Sequence, residues 1–96
     1  MRRGRITMEY QTIKAIASFN EHGEVQPLYF KLRHHDVDVT LKVLYSKEVE
    51  RDEFYISPGK TFKTICEHDG RKHELTVMYD AKSTIWKLNV AQLIGI

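Results

Sequence analysis

Residues 61–80 constrain the fold of this chain more than any other segment. Two stretches of alternating polar and apolar residues flank the dipeptide Asp69-Gly70. This dipeptide favours the positive φ angles that both central positions of a two-residue type I′ turn require. The pattern therefore predicts an antiparallel β-hairpin whose register is set by the turn.

The register predicts which side chains share a face, because successive side chains of a strand point to opposite sides. Glu67 is expected opposite Lys72 on a mainly polar face, where the opposite charges support the pairing. The other face is expected to be mainly apolar and comprises Phe62, Thr64, Cys66, His73, Leu75, Val77 and Tyr79. This division predicts a half-buried antiparallel sheet.

Four further runs rich in β-branched and aromatic residues lie between turn sequences, at residues 12–19, 25–32, 38–49 and 84–90. Such spacing favours an all-β fold. Pro27 indicates an edge or a bulge in the second strand, because proline cannot donate a ladder hydrogen bond. We expect one all-β domain of five to six antiparallel strands, a bent sheet or a small barrel of SH3-like or related type.

The alternation also predicts which residues of the first and third strands share a side. In the third strand Tyr45 is expected on the same side as Val39 and Leu41, and in the first strand Phe19 is expected beside Ile13. The first hairpin carries apolar residues on both faces: Phe19, Val25 and Tyr29 on one, and Ile16, Leu28, Phe30 and Leu32 on the other. Surplus apolar surface of this kind favours a covering partner, for which a homodimer is one candidate.

Composition narrows the class of protein. The 96 residues carry a formal net charge of +2, but Arg2, Arg3 and Arg5 precede the first periodic segment, and the remainder has twelve basic residues against thirteen acidic ones. We interpret residues 1–11 as a disordered or tag-like arm and residues 12–96 as one β-domain. A single cysteine excludes an internal disulfide framework and favours a reducing, cytoplasmic location. No run approaches the roughly 20 apolar residues of a membrane span.

Several segments resemble a family of small uncharacterised all-β proteins of Gram-positive bacteria. The matching pieces are residues 13–19, residues 23–30, Val43-Leu44, residues 64–74 with their cysteine and glycine, and residues 86–88. The family has no assigned activity. The resemblance therefore implies a small cytoplasmic β-domain and transfers no functional residues.

Two chemical hypotheses arise from the predicted register. Cys66 and His73 are expected to be cross-strand neighbours, as a nucleophile and its base would be, but no third group that would orient them can be named. A metal site would draw on Cys66 and the histidines His34, His35, His68 and His73. The paired ligand spacing of a zinc site is absent, and adjacent His34 and His35 would point to opposite sides of an extended segment. We expect neither an enzyme nor a bound cofactor or metal.

These observations favour a non-enzymatic binding module whose partner is another protein or a second copy. Its contacts are expected at a sheet edge near Pro27 or in the irregular segment 51–60. The alternative is a small barrel that binds single-stranded nucleic acid through stacked aromatics and basic side chains. The candidate binding residues are Tyr29, Lys31, Lys42, Lys63 and Lys87.

Overall fold

The computed structural model describes residues 9–49 and 59–96, which form six antiparallel strands and a short 3-10 turn. The elements are β1 (Tyr10–Phe19), β2 (Val25–His34), β3 (Val37–Val49), β4 (Lys60–His68), β5 (Arg71–Asp80), β6 (Ile85–Asn89) and the turn Val90–Gln92. Each strand pairs with the next, and β6 pairs with β1, so that the sheet closes. The predicted small all-β barrel is confirmed. Tyr10 and Gln11, which the sequence assigned to the N-terminal arm, belong to β1.

The hairpin of β4 and β5 has the predicted register throughout. Phe62 pairs with Val77 and Cys66 pairs with His73, and the turn residues Asp69 and Gly70 have φ angles of 51° and 78°. Both angles lie in the left-handed region that a type I′ turn needs, and the twist of this turn matches that of the two strands. The predicted hairpin is therefore confirmed.

The barrel interior is filled by side chains from all six strands. Its largest fully buried members are Phe30, Leu41, Leu75 and Leu88. Trp86 lies across one end of this core, with its ring centroid 4.6 Å from that of Tyr79. The remaining buried apolar residues are Ile13, Val25, Leu32, Val39, Phe62, Cys66, Val77 and Leu93. A barrel of this size is packed solid by its own side chains.

A β-bulge in β2 explains why the first hairpin has apolar residues on both predicted faces. Ile16 pairs with Tyr29 whereas Ala17 pairs with Pro27, which leaves Leu28 as an extra residue. The extra residue reverses the alternation, so Pro27 points inward before the bulge and Phe30 points inward after it. The bulge predicted near Pro27 is confirmed: it puts Pro27 and Phe30 on one inward face, whereas Ile16 and Tyr29 lie on the outside of the barrel.

A second bulge, at Leu44 in β3, overturns the predicted position of Tyr45. Val43 pairs with Cys66 and Tyr45 pairs with Ile65, so Leu44 has no partner in β4. The reversed alternation turns Tyr45 outward, where 56% of it is exposed. Phe19, which was expected on the same side as Ile13, lies at the end of β1 and is 59% exposed.

The short strand β6 is followed by a segment that seals one end of the barrel. The side chain of buried Asn89 accepts hydrogen bonds from the backbone N–H groups of Glu9 and Ala91, each at 3.2 Å. Glu9 also accepts a hydrogen bond from the backbone of Val90 at 2.7 Å. These contacts hold the turn after β6 against the start of β1, and Leu93 then packs into the core.

Candidate functional site

Charge is unevenly distributed around the outside of the barrel. Strands β6, β1 and β2 contain no aspartate or glutamate, although Lys14, Lys31 and Lys87 are exposed on them. The acidic residues of the described barrel lie on β3, β4 and β5, in the turns, and at Glu9 just before β1. We call the outer surface formed by Lys14, Ile16, Tyr29, Lys31, Lys42 and Lys87 the basic face. Its local charge is positive although the chain as a whole is nearly neutral.

Two lysines at the centre of the basic face are direct cross-strand partners. Lys14 of β1 pairs with Lys31 of β2, and both are exposed. Like charges directly opposite each other are unfavourable in a sheet. Neither strand contributes a carboxylate that could balance the two positive charges. An anion from outside the barrel could balance them instead.

The basic face is grooved rather than flat. The ladder between β1 and β2 begins at Lys14–Lys31, and the earlier residues of β1 pair with β6 instead. The strands separate there, and the Gln11 side chain spans the gap by donating to the carbonyl of Arg33 at 3.1 Å. Two adjoining hollows of about 530 and 660 Å³ result, and Lys14 and Lys31 line both. The groove can accommodate an extended ligand.

Tyr29 supplies an aromatic surface on the basic face. It pairs with Ile16 on one side and Lys42 on the other, and it is 38% exposed. The bulge at Leu28 places Tyr29 outside the barrel, since the unbroken alternation would have put it on the same face as Val25. Ile16 beside it is 51% exposed. A flat ligand can therefore pack against a ring that lies between Ile16 and Lys42.

Some basic residues on or near this surface are compensated or separate, and Lys42 itself lies opposite Glu67 of β4. Arg33 forms an ion pair with Asp38 at 2.9 Å and also donates to the carbonyl of Asp36 at 3.2 Å. Lys63 lies on β4, where it pairs with Lys47 and Thr76 and lines a different hollow of about 300 Å³. The structure thus brings together Tyr29, Lys31, Lys42 and Lys87 but not Lys63. Lys14 and Ile16 were missed, although the absence of acidic residues from their strand is visible in the sequence.

Cys66 does not have the surroundings of an enzymatic nucleophile. It is fully buried, and its Sγ lies 3.5 Å from the Oγ1 of Thr64. Burial raises the pKa of the Cys66 thiol, which outweighs the lowering effect of the hydrogen bond with Thr64. The predicted pairing with His73 is confirmed, but a protonated and inaccessible thiol cannot attack a substrate.

Four histidines gather at the end of the barrel that the turn after β2 occupies. His35 and Asp36 have φ angles of 53° and 62°, so these two residues form the turn themselves. The rings of His34 and His35 are consequently 4.0 Å apart, and the expectation that they point to opposite sides is wrong. His68 and His73 line the same hollow. Within residues 9–49 and 59–96, no group of three metal-ligating side chains could hold a metal ion.

Comparisons with known proteins assign no family. No protein-family model, no curated protein and no solved structure matches the chain. Among the residues that the structure describes, no helix is long and apolar enough to cross a membrane. Most of the segment 51–60, one of the contact regions expected from the sequence, lies outside the described residues.

Proposed function

We propose that this protein is a non-enzymatic binding module and that single-stranded nucleic acid is the ligand of its basic face. The observation that carries the proposal is the Lys14–Lys31 pair, two opposed cations on strands that contain no carboxylate. A strand of phosphates would supply the missing negative charge along the groove. Neutralised phosphates release counterions, and this release provides most of the affinity of such complexes.

Each part of the basic face has a role in this proposal. Lys14, Lys31 and Lys42 contact successive phosphates, and Lys87 extends the positive surface onto β6. Tyr29 stacks on a base, an interaction that tolerates any sequence because every base has a π-face. The exposed side chain of Ile16 supports the same base from the neighbouring strand. The module would therefore bind with little sequence preference and with strong dependence on salt.

The proposed setting follows from the sequence. The single cysteine is buried and unpaired, which favours a reducing compartment, and we place the protein in the cytoplasm. From the segments quoted above, we also propose that the chain belongs to the uncharacterised Gram-positive family.

The proposal is tested by titrating labelled oligothymidylate with two matched double variants. Lys14→Gln/Lys31→Gln removes the opposed pair on the basic face, and Lys47→Gln/Lys63→Gln removes a second opposed lysine pair, outside it. Both variants lose the same charge. We expect the first variant to bind more weakly and to lower the slope of log affinity against log salt by about 0.7 for each lysine removed. The control should lose much less.

Tyr29 provides an independent test of stacking. Tyr29→Ala should weaken binding by roughly 5- to 150-fold, because one stacked base contributes about 1–3 kcal/mol, whereas Tyr29→Phe should bind like the native protein. Equal affinities of the two lysine variants would overturn the proposal. Lysine-dependent binding of polyglutamate without binding of oligothymidylate would instead assign the basic face to an acidic protein partner.

A further inference from the structure

Within the part of the chain that the structure describes, the second half of strand β3 is paired on one side only. The ladder between β2 and β3 runs from His34–Val37 to Tyr29–Lys42 and ends there. Strand β3 continues to Val49 and pairs with β4 along the way. Among residues 9–49 and 59–96, no strand pairs with residues 43–49 on the side away from β4.

The edge is unpaired there because strands β2 and β3 bend away from each other. The bulge at Leu28 lies just before the last β2–β3 pair, and the bulge at Leu44 lies just after it. Bulges bend the strand that contains them. Beyond them β2 follows β1, and Phe19 at the end of β1 lies with its ring 6.4 Å from that of Tyr79 on β5. The tip of the first hairpin therefore leans over the barrel end and away from β3.

We propose that the open edge of β3 pairs with the same edge of a second copy of this chain. An unpaired row of backbone N–H and C=O groups is a template for another strand. The central residue of the segment 43–49 is Ser46, so an antiparallel pairing about a two-fold axis at Ser46 uses the whole segment. The edge begins one residue after Lys42 of the basic face, but the inference does not depend on the proposed ligand.

The side chains of the edge are self-complementary in this register. Tyr45 lies opposite Lys47 of the second copy, where the ring and the ammonium group can attract each other. Val43 lies opposite Val49, and Leu44 lies opposite Glu48. A register centred on Lys47 would instead oppose two lysines, which is unfavourable. Charge thus favours the pairing centred on Ser46 over the one centred on Lys47.

Exposed apolar side chains also favour the contact. Tyr45 is 56% exposed and Leu44 is 43% exposed, and both lie on the open part of β3. Pairing would bury part of each. A contact confined to one strand edge is smaller than the interfaces of obligate dimers, so the dimer should form reversibly as concentration rises.

Cysteine cross-linking tests the register directly. Ser46→Cys places two thiols opposite each other across the two-fold axis, within disulfide distance of a cross-strand pair, whereas Lys47→Cys is the matched control one residue away. Cys66 is buried and does not interfere. With oxidised glutathione we expect a disulfide-linked dimer of Ser46→Cys and little of Lys47→Cys. Equal or greater cross-linking of Lys47→Cys would overturn the proposal.

A charge exchange tests the same contact without oxidation. Tyr45→Lys opposes two lysines across the interface and should weaken the dimer at least tenfold in sedimentation equilibrium. The double variant Tyr45→Lys/Lys47→Glu opposes a lysine and a glutamate and should restore dimerisation. A native protein that stays monomeric at every concentration, or a double variant no better than Tyr45→Lys, would overturn the proposal.

Discussion

The side chain of Gln92 takes the place of a strand beside Thr76. Its Oε1 accepts a hydrogen bond from the backbone N–H of Thr76 at 2.6 Å, and its Nε2 donates to the Oγ1 of Thr76 at 3.2 Å. The β5–β6 ladder begins at the next residue, where Val77 pairs with Leu88. Gln92 therefore satisfies a backbone group of β5 at the point where β6 turns away.

We expect Gln92→Ala to lower the free energy of unfolding by about 1–3 kcal/mol, because it leaves a partly buried N–H group without a partner. Urea unfolding followed by tryptophan fluorescence would measure the change, since Trp86 lies in the core. Gln26→Ala, at an exposed position on β2, is the control and should change stability by less than about 0.5 kcal/mol. Equal effects of the two substitutions would contradict the role given to Gln92.

Thr84 is held in a backbone conformation that a β-branched residue adopts at a cost. Its φ angle is 59°, at the end of the turn before β6, and its N–H donates to the carbonyl of Asp80 at 2.7 Å. Thr84→Asn keeps that donor and tolerates the left-handed region, so it should stabilise the protein by about 1 kcal/mol. Thr12→Asn, on extended β1, should not stabilise. Thermal unfolding of both variants provides the comparison.

Cys66 should resist alkylation in the native protein. Its thiol is fully buried, and burial raises its pKa, so little thiolate forms near neutral pH. We expect iodoacetamide to label Cys66 in urea but not in buffer, as measured by intact-mass spectrometry. Rapid labelling of the folded protein would show that the barrel opens at β4, and would reopen the nucleophile hypothesis.

His34 should make the barrel less stable in mild acid. Burial lowers the pKa of His34 from its ordinary value of 6.5, and the charge of His35 lowers it further. The unfolded chain therefore takes up a proton at higher pH than the folded barrel does. The contribution of the His34 pKa shift to stability is fully present above pH 6.5. It declines as the pH falls from 6.5 through the pKa that His34 has in the folded barrel, and it changes no further at lower pH.

The measurement is the urea midpoint between pH ~7.5 and ~5. His34→Gln should reduce the decline, whereas His22→Gln, in the exposed turn after β1, should leave it unchanged. An identical decline in both histidine variants would contradict the assignment to His34.

Asp80 affects stability only in stronger acid. Hydrogen bonds from the backbone of Lys82 and from Ser83 hold the pKa of Asp80 below its ordinary value of 3.8, so the stability that Asp80 contributes is lost only as the pH falls below 3.8.

Prediction from sequence succeeded where a local conformation decides the structure. Asp69-Gly70 specifies its turn chemically, and the register of β4 and β5 follows from it. The turn at His35 and Asp36 has the same backbone shape but no glycine, so the sequence predicted a polar connection there but not its two-residue form. Tyr45 was misplaced because the bulge at Leu44 leaves no mark in the residue pattern. Pro27 indicated the bulge in β2, because proline has no backbone N–H group to donate.

The same distinction holds for the candidate site: local features could be predicted from the sequence, but their assembly could not. The exposure of Lys31, Lys42 and Lys87 follows from their polarity, and the absence of acidic residues from β1, β2 and β6 can be read along the chain. Their assembly into one surface requires β6 to pair with β1, a contact between residues about as far apart as the described chain allows. Lys63 has the same local character, yet its strand places it elsewhere on the barrel.

The amino-acid order alone determined the strand content, the β4–β5 register and the inward face of that hairpin, because each depends on neighbours in the chain and on the geometry of a short turn. Only the tertiary structure decided the closure of the barrel, the direction of Tyr29 and Tyr45, and the open edge of β3. Those features arise where non-local pairing and two single-residue bulges reset the alternation, and a period of two carries no record of such a shift.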